Sequence, residues 1–194
     1  MKNIKVMQTV EIRSINSDEF EVRGLLPTNS PSEYIYHKKR RFLFKEEIKP
    51  LAFSMAVEKE KPLLLINHDY SKELIVTKFE GKETSRGFEF TAIVKKNEIS
   101  EEILLNIGEI KGLSFGFYVG AEQWNGNHRL IYSFEKLKEI SILKGLEPCY
   151  SASEVVIVPQ KEQFETTKDV RQWLNRKWLE IYKEQIADLK KVGS

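Results

Sequence analysis

The sequence has a single cysteine, Cys149, and only three histidines, His37, His68 and His128, among its 194 residues. One cysteine cannot close an intrachain disulfide, and no cysteine cluster exists to hold zinc or an iron–sulfur centre, which points to a reducing compartment. Net charge is almost absent. The 31 Lys+Arg and 29 Asp+Glu leave +2, so electrostatics give no reason to expect nucleic acid or an anionic membrane as partner. Long hydrophobic runs are missing too: the longest aliphatic run, Leu63-Leu64-Leu65-Ile66, is far short of the roughly 20 residues of a membrane helix. The N-terminus alternates instead of forming the apolar stretch of a signal peptide. These absences predict a cytosolic protein. What is present is a 41% hydrophobic, 11% aromatic composition, enough for one real core and one domain with an appendage.

Period-two alternation dominates the first two thirds. Ile4, Val6, Val10 and Ile12 share one face of a half-buried strand. After a turn at Asn16-Ser17-Asp18, Phe20, Val22 and Gly24 continue the pattern on an expected hairpin partner. Further strands are expected from Phe42 and over 63–66, 74–79, 87–94, 113–119, 129–134, 137–143 and 154–158. Pro50 suits the first turn of a short helix carrying Leu51, Phe53, Met55 and Val57, and Ser100 suits the N-cap of a second helix over 101–107. Lys38-Lys39-Arg40-Arg41 reads as a solvated loop. From Thr167 the period changes, and Val170, Leu174, Trp178, Ile181, Tyr182, Ile186 and Leu189 form a broad helical band. The expected division is a β-rich domain over 1–160, then a linker and a long amphipathic C-terminal helix over 161–194.

Three residues stand out chemically. His68 follows Leu-Leu-Leu-Ile-Asn at the end of an apolar strand, where a rigid element presents it at an edge. Ser114 alternates with Leu113, Phe115 and Phe117, so it lies opposite the aromatic face, beside Gly116, which leaves room for close approach. Glu139 shares a face with Leu137, Ser141 and Leu143, a place for a carboxylate only if it is paired or hydrogen-bonded. Read separately, each has a plain alternative: a structural histidine, a small polar residue in a sheet, a salt bridge to a lysine across the sheet. Gly112-Leu113-Ser114-Phe115-Gly116 matches the Gly-x-Ser-x-Gly pattern only superficially, because the chain continues as a strand where that elbow needs a helix. A metal hydrolase on His68-Asp69 lacks His-x-His or His-x-x-x-His spacing, and Cys149 reads as a small, partly buried residue rather than a nucleophile.

In the order His68, Ser114, Glu139 the sequence resembles the prohead proteases of tailed bacteriophages. The resemblance rests on Val22-Arg23-Gly24, on the segment Phe44 to Phe53, on Leu65-Ile66-Asn67-His68-Asp69, on Gly112 to Phe117, on Lys138 to Leu143, and on Pro148 followed by Ala152. It implies a serine protease with a fold similar to herpesvirus assemblins: an α+β, β-rich chain forming a small, mostly antiparallel β-barrel flanked by helices. It also implies His68, Ser114 and Glu139 as the catalytic set, with no cofactor and no metal. The implied partners are the major capsid protein, whose scaffolding segment is cut, and a second copy of the chain, inside the procapsid in the bacterial cytoplasm; neither nucleic acid nor membrane is implied. A non-catalytic capsid assembly module on the same fold is the alternative. The sequence departs from the family in lacking a glycine over 70–79 and in placing Leu51 where glycine is common, differences that bear on loop shape.

Overall fold

A computed structural model describes residues 18–158; the strand expected over 4–12 and the linker and helix expected over 161–194 lie outside them. In chain order the elements are β1 (Glu19–Pro27), β2 (Ile35–His37), β3 (Phe42–Ile48), α1 (Ala52–Lys59), β4 (Leu63–Ile66), β5 (Asp69–Glu73), β6 (Val76–Thr84), β7 (Gly87–Lys95), α2 (Glu98–Leu105), β8 (Ile110–Asn125), β9 (His128–Lys144) and β10 (Glu154–Val158). This is a β-rich α+β fold of two sheets.

The first sheet runs β10-β1-β7-β6, antiparallel throughout. Phe88, Phe90, Ala92 and Val94 of β7 point into the core together, as their alternation predicts. The hairpin expected between residues 4–12 and β1 meets a strand whose two edges are taken by β7 and β10.

The second sheet is organised by β9. One edge of this 17-residue strand pairs antiparallel with β8, through the two-residue turn Gly126-Asn127, where Gly126 takes a φ of +61°. Its other edge takes β3 beside residues 128–131 and β4 beside residues 139–142, both parallel. β3 and β4 thus run in the same direction along β9, a placement that a tight hairpin cannot give, and α1 lies in the connection between them. Phe53 of α1 is fully buried against Phe88, Phe115 and Phe134. Of the other apolar residues expected on this helix, Leu51 and Met55 are exposed. The helix starts at Ala52, after Leu51 has turned left-handed with φ +69°.

Sequence alternation suggests two strands over 129–143, whereas the structure has one strand that slips register against β8 between Gly116 and Phe117 and at three points beyond. These bulges bring Ile131, Phe134, Leu137 and Ile140, spaced by three, onto one buried face. Each bulge bends the ribbon and adds twist, which curls the sheet into a half-barrel. The slip between Gly116 and Phe117 also corrects an expectation: Leu137 turns to the core, while Glu139 and Ser141 stay on the opposite face. In α2 the N-cap is Asn97 rather than Ser100; Asn97 Oδ1 accepts from Ser100 N and Ser100 Oγ from Asn97 N, both at 2.8 Å.

Candidate active site

β4 and β5 are joined by two residues only, Asn67-His68, with Ile66 opposite Asp69. Both have positive φ, +53° and +62°, the backbone of a type I′ hairpin turn, which favours Asn first and Gly second. A histidine in the glycine place is strained by roughly 1–2 kcal/mol. The surroundings hold it there. Asn67 Nδ2 donates to Lys144 O at 3.0 Å and Lys144 N donates to Asn67 Oδ1 at 2.8 Å. Asn67 N donates to Ile142 O at 3.1 Å, and His68 N to Ser141 Oγ at 3.0 Å. Beyond the turn, Asp69 Oδ1 accepts from Ser71 N and Oγ, so that carboxylate closes its own loop.

Glu139 is 2% exposed, yet both its oxygens are engaged. His68 Nδ1 lies 2.9 Å from Oε1, and Ser141 Oγ donates to Oε2 at 2.5 Å. Gly116 sits opposite Glu139 on β8. A Cβ there would come within 2.5 Å of Oε1, so the strand needs glycine to admit the carboxylate. The bond to Glu139 raises the His68 pKa above its usual 6.5, outweighing the desolvation that lowers it. With Nδ1 donating to the carboxylate, the neutral ring leaves Nε2 as acceptor.

Ser114 faces Ser141 directly across β8 and β9, which puts its side chain on the same sheet face as Ser141 and Glu139. It is half-buried. The structure thus brings His68 and Glu139 into contact and sets Ser114 on their face one strand away; no hydrogen bond joins Ser114 to His68 among the described residues. The other histidines stand apart. His37 stacks on Phe42, and His128 Nε2 lies 3.5 Å from Glu47. Cys149 is exposed rather than partly buried, and desolvation and the charge of Glu46 hold its thiol above its usual pKa, which disfavours the nucleophilic thiolate. The described residues contain no helix long and apolar enough to cross a membrane.

The profile of the caudovirus prohead serine protease family matches residues 8–170 of this sequence, well over half of it and every described residue. The chain belongs to this family. It is therefore a serine endopeptidase of capsid maturation. No curated protein and no solved structure gives a significant match. Within this prohead protease, sequence reasoning set Gly116 beside Ser114 and Ser141 on the face of Glu139 without giving either a role, and gave none to Asn67. Each leaves a trace in the sequence. Asn67 is the preferred first residue of a two-residue turn, Gly116 is two residues from the serine, and Ser141 is two residues from the glutamate on the same face.

Proposed function

We propose that Ser114 is the nucleophile of this prohead protease, His68 its general base and Glu139 the group that orients the imidazole. Ser114 Oγ attacks the scissile carbonyl carbon while His68 Nε2 takes its proton. The imidazolium then gives that proton to the leaving amine, and water deacylates the enzyme by the same route in reverse roles. Glu139 fixes Nδ1 as the protonated nitrogen and stabilises the imidazolium. Ser141 steadies both partners, binding the carboxylate with its hydroxyl proton and the His68 amide with its oxygen. The observation that supports this reading is the 2.9 Å contact between His68 Nδ1 and a buried Glu139, on the sheet face that carries Ser114.

The substrates of this reading are the scaffolding segment of the major capsid protein and the chain itself. In this reading the catalytic domain spans 1–160 on an assemblin-like barrel, and the helix expected from the sequence within 161–194 is a packaging or dimer-contact element that self-cleavage removes. A weakly self-associating enzyme gains activity when concentrated inside a shell, by mass action. The test is intact mass over time for the wild-type chain and Ser114→Ala, each alone and with the capsid protein. Truncation confined to the wild type supports the reading; identical, uncleaved masses with shells still forming would favour a non-catalytic assembly module.

A further inference from the structure

Each member of the candidate triad, Ser114 on β8, Glu139 on β9 and His68 in the turn that leads into β5, has a member of a second cluster one to four residues away. Lys138 precedes Glu139 on β9, Tyr70 follows His68 by two residues on β5, and Tyr118 follows Ser114 by four on β8. The Lys138 ammonium lies 5.4 Å from the Tyr70 ring centroid and 5.2 Å from that of Tyr118. Both tyrosines are 54% exposed, so the cluster opens to solvent. The register slip between Gly116 and Phe117 leaves Lys138 without a partner in the ladder, and Tyr118 shares the face of Ser114 and Gly116 by alternation.

The chemistry of the cluster is selective. Lys138 makes no ion pair with a carboxylate among the described residues, while Lys72 on β5 and Lys144 at the end of β9 are both tied to Glu102. Two aromatic faces hold an ammonium in place without neutralising it, so its charge stays available to an incoming anion. The carboxylate that acts on Lys138 among the described residues is that of buried Glu139, whose oxygens are bound to His68 and Ser141. Four residues of strand separate Tyr118 from Ser114, about 14 Å at roughly 3.4 Å per residue. An extended peptide laid along β8 covers that distance with about four residues of its own.

Resting on the Ser114 reading, we propose that Lys138, held between Tyr70 and Tyr118, determines specificity by selecting peptide substrates with an acidic side chain within about four residues of the scissile bond. Lys138 acts on substrate recognition and not on the nucleophile.

The test is cleavage-site profiling of a peptide library by the full chain, comparing wild type, Lys138→Gln, Lys138→Glu and Ser114→Ala, with fluorophosphonate labelling run in parallel. The expected result is Asp/Glu enrichment at one position in the wild type, lost in Lys138→Gln and replaced by Lys/Arg in Lys138→Glu, each change about tenfold, with labelling rates unchanged. A wild-type profile without acidic enrichment, or one that Lys138→Glu leaves intact, would overturn the proposal. Cleavage that persists in Ser114→Ala would overturn the nucleophile assignment instead, and the Lys138 profiles would still decide the specificity.

Discussion

Replacing Gly116 by alanine adds one methyl group at the point where β8 meets the Glu139 carboxylate. That carbon would sit 2.5 Å from Oε1, where ordinary contact begins at 3.4 Å, so the carboxylate must retreat by about 0.9 Å. Retreat away from His68 stretches the 2.9 Å contact past hydrogen-bond range, and retreat towards it compresses that contact below any tolerable length. The backbone at Gly116 is not left-handed, so alanine introduces no strain of its own and the sheet persists. Losing the orienting carboxylate of a serine-histidine pair lowers activity by about 10²–10⁴-fold, or about 3–5 kcal/mol of transition-state stabilisation. The assay is the rate of fluorophosphonate labelling at saturating pH, with circular dichroism to confirm the fold. A Gly116→Ala chain that labels at the wild-type rate would refute the role given to Glu139.

Labelling of the wild type should rise with pH to a plateau with a midpoint above 6.5, because the base must be neutral and Glu139 favours its protonated form; Glu139→Gln should bring the midpoint below 6.5, leaving desolvation as the dominant influence. The same linkage acts on stability. A histidine whose pKa is raised on folding contributes below pH 6.5 and loses that contribution as pH rises through its folded value, so Glu139→Gln should lower the urea midpoint more at pH 5.5 than at pH 9. Asn67→Ala removes both side-chain bonds to Lys144 and a residue suited to positive φ; it should cost about 1–3 kcal/mol in urea denaturation and slow labelling as well. Leu51→Gly should instead stabilise the chain by about 1 kcal/mol in the same assay, since Leu51 is exposed and left-handed.

Legibility in the sequence followed the reach of each signal. Alternation is local, so β7 could be read residue by residue, and the three candidate site residues could be picked out from strand ends and faces. The bulges of β9 are not local. Residues 131, 134, 137 and 140 reach the core by threes only because β8 slips against them, and a period-two reading breaks the strand in two and puts Leu137 beside Glu139. The parallel pairing of β3 and β4 with one edge of β9 was equally hidden, since nothing in either short strand names its partner. Around the site, the pairing of Glu139 was deducible from the expense of burying a bare carboxylate, and histidine was one of the partners its chemistry allowed. Ser141 and Gly116 needed the register to be recognised. The leucine standing where the family favours glycine proved informative, because the structure places Leu51 in the conformation that glycine adopts most easily.

The most direct test of the central claim is to find where a fluorophosphonate adduct forms. Peptide mapping of the labelled wild-type chain should place the adduct on Ser114, with labelling abolished in His68→Ala and slowed in Glu139→Gln. An adduct on any other residue, or labelling of Ser114 that is indifferent to His68, would contradict the account.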